Sequence, residues 1–298
     1  MMQSEDIGFD FSYVNGALEA LESGKVSCAL HRLGYMPAID HLRRHMDRFG
    51  VQQVPEGPAL VAQLLEPVAN RSEILPGIRQ AIKAAHESVR DRNRWVGELL
   101  RLLPEGHRFP QATLYFTLGY DVGVVSDQWS ASVNLAHPYL MENPRHVEYF
   151  LIHELHHVGF LAYHDLPRVR DIRSREGLRA LVQGLVHLEG LGTYAPWRLR
   201  QRDETLDAFP DYVTLQDDTA MADLEVQFWH LYRGLDDLPD EVDRETVIHQ
   251  LTLFGDQHKL FHLVGCRFAQ RIHHLYGLKR LHTTILDDSE GFVRLAGK

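Results

Sequence analysis

His153-Glu154-Leu155-His156-His157 fits the pattern H-E-x-x-H, which is typical of helices that bind zinc. Residues four apart lie one above the other on an α-helix, so the imidazoles of His153 and His157 can bind one ion. Glu154 lies about 100° further round the helix, where its carboxylate can reach a water molecule on that ion. Because zinc lowers the pKa of bound water to about 7, the pattern predicts hydrolytic chemistry at neutral pH.

The sequence around the motif favours a helix from Val147 to Ala162. No proline interrupts this run, and Gly159 is its one residue of low helix propensity. Asn143 is predicted as the N-cap. His153 and His157 share a helix face with large apolar residues, so both are expected to be buried and to need polar partners. A pair with this spacing, flanking a glutamate, favours a metal site over two hydrogen-bonded core histidines.

Glu189 is the predicted third metal ligand, because catalytic zinc sites use three protein ligands and leave the fourth position for water. This residue continues the apolar stripe of a helix predicted from Glu176 to Tyr194, and an unpaired carboxylate is costly there. Gly190 and Gly192 lower the helix propensity, which fits a close approach by another backbone or by a ligand. An ion pair is the alternative, with one of the arginines at positions 173, 175 and 179.

The chain resembles the gluzincin, or peptidase MA-like, group of zinc peptidases, through His153-Glu154-x-x-His157 and the segment 189–194. The likeness extends from about residue 112 to the C terminus. It implies that Zn²⁺ is bound by His153, His157 and Glu189, and that Glu154 is the general base. The spacing between His157 and Glu189 is longer than in thermolysin-like enzymes.

The same resemblance implies a catalytic role for His262. In this group a C-terminal helix packs against the metal site, and its start often carries a Tyr or His that steadies the oxyanion. From the residues alone, a histidine beside apolar neighbours is more often structural. A further departure from the group is Thr193, which stands where those enzymes carry an Asp that orients a ligand histidine.

Length and composition predict a globular protein with a sizeable core, at 298 residues with 44% hydrophobic and 24% charged. Residues 1–110 are predicted as a helical N-terminal region, and residues 111–298 as a zincin-like catalytic domain. Strands are predicted at 112–118 and 131–135, with a loop at 119–128 between them. The predicted fold class is α+β, predominantly helical and zincin-like, with a small sheet preceding the helix of the H-E-x-x-H motif.

Charge and cysteine content bear on partners and location. The net charge of −10 argues against nucleic-acid binding. No apolar run approaches the roughly 20 residues of a membrane span, and the N terminus lacks the layout of a signal peptide. Cys28 and Cys266 are too far apart in sequence to suggest a disulfide framework, so a cytoplasmic location is expected. The expected partner is a peptide or protein substrate, and the sequence says nothing about the oligomeric state.

Other interpretations of the motif stay open at this point. Glu154-x-x-His157 also matches the Glu-x-x-His motif of di-iron bundles, although the sequence shows no second copy. A non-catalytic, metal-stabilised module would keep the three ligands without needing Glu154. The motif could also be accidental in a helical protein, and metal analysis would decide that.

Helices are predicted over most of the remaining chain, at 9–50, 60–69, 78–103, 217–234, 244–254 and 257–276. Gly277 is predicted as the C-cap of the last of them. A cluster of basic side chains near residue 45 is predicted to be a solvated face, and it consists of His41, Arg43, Arg44, His45 and Arg48.

Overall fold

A computed structural model of the protein describes residues 7–49, 54–109, 111–255 and 258–297. Most of these residues are helical, and four short strands form one sheet. The prediction of a predominantly helical α+β fold with a small sheet is therefore confirmed. The chain divides into two compact units: unit 1 comprises residues 1–97 and 108–158, and unit 2 comprises residues 98–107 and 159–298.

Helices dominate the first half of the chain, and several begin where a proline fixes the first turn. In α4, α5 and α7 a proline occupies one of the first two positions, where its missing N–H has no helical acceptor to satisfy. The elements in chain order are β1 (Ile7–Asp10), α1 (Ser12–Glu22), α2 (Val26–Gly34), α3 (Pro37–Phe49), α4 (Gly57–Ala69), α5 (Leu75–Arg90), α6 (Val96–Arg101), β2 (Ala112–Thr117), β3 (Gly123–Asp127), β4 (Ser130–Asn134), α7 (Pro138–Glu142) and α8 (Val147–Leu161).

Among the described residues, the named elements of the second half of the chain are all helices, and side-chain caps begin several of them. Ser174, Asp217, Asp243 and Asp288 each accept a hydrogen bond from a backbone N–H of the first turn. The elements are α9 (Arg175–Tyr194), α10 (Trp197–Arg202), α11 (Pro210–Gln216), α12 (Asp218–Gly234), α13 (Arg244–Phe254), α14 (Leu260–Tyr276), α15 (Leu278–Leu286) and α16 (Ser289–Ala296). Gly277, with a φ of 81°, ends α14 as predicted.

The sheet of unit 1 has the strand order β1-β2-β4-β3. Strands β1, β2 and β4 are parallel, and β3 is an antiparallel edge strand paired with β4. On β2, Leu114 and Phe116 are fully buried while Thr113 and Tyr115 are half-buried, so the alternation predicted for this strand is confirmed. The register places Gly123, the first residue of β3, opposite Val133.

Two of the strands were not predicted. Strand β1 overlaps the start of a region predicted to be helical, and β3 lies inside the predicted loop 119–128. Both strands are short, and β3 consists of Gly-Val-Val-Ser-Asp, in which three of five residues are common in turns. Their extended conformation depends on hydrogen bonds to distant strands, which local sequence patterns do not report.

In unit 2, α9 and α14 cross at two glycines. A Cβ atom on Gly190 would lie 2.3 Å from the carbonyl carbon of Gly265, and a Cβ atom on Gly265 would lie 2.3 Å from the carbonyl oxygen of Val186. Backbone therefore meets backbone at this crossing, and a side chain at either position would force the helices apart. The close approach predicted from Gly190 is confirmed, and its partner is a second helix.

Candidate metal centre

Helix α8, which carries the H-E-x-x-H motif, is buried on every side. Leu151, Ile152, Leu155 and His156 are all fully buried. A helix that is buried around its whole circumference belongs to the protein interior, so the burial expected for the face of His153 and His157 extends round the rest of α8. A 3₁₀ turn leads into α8, and the side-chain amide of Asn143 donates to the carbonyl of Tyr139, so the predicted capping role of Asn143 is wrong.

His153, Glu154 and His157 converge on one volume in unit 1. One potential ligand atom from each of them lies within 4.8 Å of the other two. The imidazole centroids of His153 and His157 are 4.4 Å apart, with their planes at 78°. His157 and Glu154 are buried, at 2% and 4% exposed, whereas His153 is half-buried. Imidazole nitrogens and carboxylate oxygens are zinc ligands, so this donor set fits the metal that the sequence predicted.

Strand β3 lies directly against the carboxylate of Glu154. A Cβ atom built on Gly123 would lie 2.3 Å from Oε1 of Glu154 and 2.6 Å from its Cδ. Real Cβ atoms do not approach other heavy atoms this closely, so position 123 has no room for any side chain while Glu154 keeps its conformation. The sequence does not point to Gly123, because the segment 119–128 is predicted as a loop.

The loop that leads into β3 is held by Asn134, the last residue of β4. The Oδ1 atom of Asn134 accepts from the backbone N–H of Gly119 at 3.0 Å and of Ala136 at 2.9 Å, and its Nδ2 donates to the carbonyl of Tyr120 at 3.2 Å. Gly119 has a φ of 89°, and a Cβ atom there would lie 2.2 Å from the carbonyl oxygen of Leu64. The chain is thus fixed on both sides just before it reaches Gly123.

Glu189 and His262 form an ion pair in unit 2. Nε2 of His262 lies 3.1 Å from Oε2 of Glu189, and the two side chains are 38% and 20% exposed. Burial by itself would lower the pKa of His262, but the charge of Glu189 and the hydrogen bond to it outweigh burial and raise that pKa above its usual value. The crossing at Gly190 and Gly265 brings the two helices close enough for this contact.

The arginines that the sequence offered as alternative partners of Glu189 bind other groups. Arg175 pairs with Asp240 at 2.5 Å, and Arg179 pairs with Asp236. Arg173 donates to the backbone carbonyls of residues 170 and 172. The interpretation of Glu189 as a core carboxylate with a specific partner is supported, and that partner is a histidine.

Each unit contains its own close set of the predicted site residues. His153, Glu154 and His157 come together in unit 1, and Glu189 and His262 come together in unit 2. The hydroxyl of Tyr194, the last residue of α9, lies 2.7 Å from Nδ1 of His273. The zinc ligation by His153, His157 and Glu189, and the catalytic roles of Glu154 and His262, stay predictions.

The basic cluster on α3 is only partly the solvated face that its sequence predicted, because Arg43 is exposed but His41 is not. His41 is fully buried, with Nδ1 at 3.0 Å from the hydroxyls of Ser126 and Ser130, and Nε2 at 3.1 Å from that of Ser132. Arg44 pairs with Asp127 at 3.2 Å. The α3 face is polar because it packs on serine hydroxyls of β3 and β4, and the serines that bind His41 are 85 to 91 residues away in sequence.

Comparison of the chain with protein-family models, with curated proteins and with solved structures found no match. The resemblance to gluzincins consequently depends on the motifs quoted above.

Among the residues that the structure describes, no helix combines the length and the apolar composition needed to cross a bilayer.

Proposed function

We propose that this protein is a zinc-dependent hydrolase that cleaves peptide bonds, a metallopeptidase of the gluzincin type. The observation that carries the proposal is the convergence of His153, Glu154 and His157, whose ligand atoms lie within 4.8 Å of one another on one turn of a buried helix. A zinc ion at this position supplies Lewis acidity, which lowers the pKa of water to about 7 and polarises a carbonyl group.

His153 and His157 would hold the metal, with Glu189 as the third ligand. The two histidines are neighbours at the i, i+4 spacing of α8, and the buried member of the pair is held by the packing of that helix. Glu189 has the features of a metal-binding carboxylate, because it is mostly buried and already has a hydrogen-bonding partner in His262. Carboxylates that bind metals are themselves hydrogen-bonded, and such contacts fix their orientation.

Glu154 would act as the general base. Its side chain is 4% exposed and lies between its own helix and the backbone of Gly123, so its carboxylate is held in one place. A base fixed in this way takes a proton from the attacking water and then passes that proton to the leaving amine. General acid–base catalysis of this kind contributes about 10²–10⁴-fold to a rate.

His262 has two candidate roles. The observed contact with Glu189 supports a role in orienting that carboxylate. The resemblance implies instead that the imidazole donates a hydrogen bond to the developing oxyanion. The two roles differ in their consequences for metal content and turnover.

We also propose that the substrate is a peptide or protein and that the enzyme works in the cytoplasm. Cys28 is exposed, Cys266 is buried, and both are free thiols. Free thiols are typical of a reducing compartment, whereas secreted proteins commonly pair their cysteines.

The test begins with elemental analysis of the purified full-length chain. We expect about one zinc per chain, and hydrolysis of a mixture of quenched fluorescent peptides that stops with 1,10-phenanthroline and returns with added Zn²⁺. A chain that contains no zinc, and takes up none from solution, would overturn the proposal.

The variant Glu154→Gln separates the proposed enzyme from its alternatives. As the base, Glu154 is dispensable for metal binding, so this variant should keep its zinc and lose about 10²–10⁴-fold in kcat. The position of its carboxylate beside both histidines also supports an alternative in which Glu154 is itself a ligand, as in di-iron sites. Loss of the metal in Glu154→Gln would favour that alternative, and unchanged turnover would favour a non-catalytic metal-stabilised module.

A further inference from the structure

We propose that Gly123 is a positioning residue for Glu154, and that the bare backbone of β3 at this point determines where the carboxylate lies. The proposal rests on the proposed function of Glu154 as the base. It starts from one contact: a Cβ atom on Gly123 would lie 2.3 Å from Oε1, 2.6 Å from Cδ and 2.8 Å from Cγ of Glu154. Three consecutive atoms of the glutamate thus lie where a side chain of residue 123 would be.

The glycine is required for its lack of a side chain, and its backbone conformation is one that other residues can adopt. Gly123 is the first residue of a strand and pairs with Val133 in regular register, whereas Gly119 nearby has a φ of 89°. Glycine in a strand lowers stability and marks places where another group approaches the backbone closely. Alanine at position 123 would therefore favour the strand locally, and the three atoms nearest to its Cβ all belong to Glu154, which makes this contact the main cost.

Neither β3 nor α8 can easily move away from this contact. The loop before β3 is fixed by Asn134 and by the contact of Gly119 with the carbonyl of Leu64. On the other side, α8 is buried around its whole circumference. The least costly response to a methyl group at position 123 is rotation of the Glu154 side chain, which moves the carboxylate and leaves the backbone of β3 and α8 in place.

This response predicts a loss of activity out of proportion to the loss of stability. A displacement of about 1 Å in a catalytic group can cost about 10²-fold in rate. The atoms nearest to the new methyl group belong to Glu154 and not to either histidine, so metal binding should persist. Gly123→Ala should consequently reproduce much of the effect of Glu154→Gln although it changes no ionisable group.

The experiment compares Gly123→Ala with Gly8→Ala in the full chain. Gly8 is the matched control, because it also lies in a strand and a Cβ atom there would meet its nearest neighbour at an ordinary 3.5 Å. With quenched fluorescent peptides as the probe, Gly123→Ala should lower kcat about 10–100-fold, change KM less than about twofold, and keep the zinc content and a melting temperature within about 4 °C of the parent. Gly8→Ala should resemble the parent in all four measurements.

A second comparison separates positioning from general damage to the sheet. In a Glu154→Gln background the base is already absent, so Gly123→Ala should lower the residual rate less than about twofold. An undiminished 10–100-fold loss in that background, or full turnover of Gly123→Ala in the parent, would overturn the proposal.

The contact can also be tested without a substrate. On the metal-free protein, Gly123→Ala should lower the melting temperature when Glu154 is present and should leave it unchanged or raise it when Glu154 is replaced by alanine. Equal shifts in the two backgrounds would show that Glu154 is not what excludes a side chain at position 123. If this coupling is found but the parent hydrolyses none of the peptides, the proposed function fails while the positioning contact stands. If Glu154→Gln is inactive and the coupling is absent, the role of Glu154 as the base stands, and Gly123 is not its positioning residue.

Discussion

Two regions of the molecule place a carboxylate by different physical means. In the sheet region of unit 1, which consists of α3, β3, β4 and α8, Glu154 is confined by the backbone of Gly123. In the crossing region of unit 2, which consists of α9 and α14, Glu189 is paired with the charge of His262. Glu154, which is expected to transfer protons, is thus held by a steric contact. Glu189, which is expected to bind a cation, is held by an ionic contact. The difference shows which changes each region should tolerate.

The largest expected effect is loss of zinc on removal of the paired carboxylate. Glu189→Ala should weaken zinc binding by more than the roughly 10–100-fold that follows when only a partner of a ligand is removed. Competition with a chromophoric chelator would measure the affinity. Glu176→Ala, an exposed position in the first turn of the same helix, is the control and should bind zinc as the parent does. Full zinc occupancy in Glu189→Ala would remove this residue from the ligand set.

The crossing region should be far less tolerant of a methyl group than the sheet region. In Gly265→Ala the new Cβ atom meets the carbonyl oxygen of Val186 at 2.3 Å and the Cα atom of Gly190 at 2.7 Å, so backbone must move. We expect a loss of about 3 kcal/mol in the free energy of unfolding, measured by urea denaturation. Gly234→Ala, at a helical glycine with no atom within 4 Å of the added Cβ, should be neutral or slightly stabilising. If Gly265→Ala lost less free energy of unfolding than Gly123→Ala, the crossing region would be the more tolerant of the two.

Acid should destabilise the sheet region through His41. Burial, followed by the charges of His45 and Arg44, lowers the pKa of His41 to about 3 from an ordinary value near 6.5. The unfolded chain therefore binds the proton more readily, so the stability due to neutral His41 is complete above pH 6.5 and is lost as the pH falls toward 3.

At pH 4.5 this linkage amounts to about 2.5 kcal/mol relative to pH 7. The His41→Gln variant, which cannot titrate, should show a correspondingly smaller loss of unfolding free energy between the two pH values. His249→Gln, at an exposed histidine, should retain the parent's dependence on pH. An unaltered pH dependence in His41→Gln would mean that His41 does not contribute to the acid sensitivity of the fold.

Substitution of His262 separates its two candidate roles. If the imidazole orients Glu189, His262→Ala should weaken zinc binding about 10–100-fold, and turnover at saturating zinc should change little. If it donates to the oxyanion, the zinc affinity should hold while kcat falls about 10²–10³-fold. His262→Gln, which keeps a hydrogen-bond donor, should restore part of whichever property is lost. A variant that retains both affinity and turnover would leave His262 with neither role.

The sequence predicted those parts of the fold whose signals are local. Helix α9 was predicted from residue 176 to 194 and runs from 175 to 194, because an apolar stripe with helical period defines it. The alternation on β2 likewise identified the buried Leu114 and Phe116. Within the candidate site, the i, i+4 spacing on α8 was sufficient to bring His153 and His157 together.

The parts that the sequence did not predict depend on contacts between distant segments. Gly123 lies in a short segment rich in turn residues, and its importance arises only when α8 packs against β3. The ionic partner of Glu189 was sought among the arginines near it in sequence, yet His262 is 73 positions away and is brought close by the glycine crossing. His41 was assigned to a solvated face because the serines that bind it lie on strands not adjacent in sequence.

The way in which α3 covers β3 has a consequence for association between chains. An edge strand whose carbonyl groups have no hydrogen-bond partner can pair with an edge strand of another molecule, and such pairing promotes aggregation. On β3, His45 donates from Nδ1 to the carbonyl of Val125 at 2.7 Å, and Arg48 donates to the carbonyl of Ser126 at 3.1 Å. These two side chains occupy carbonyl oxygens that a strand of another molecule would otherwise bind. We therefore expect the basic residues of α3 to protect the folded chain from self-association as well as to anchor the helix.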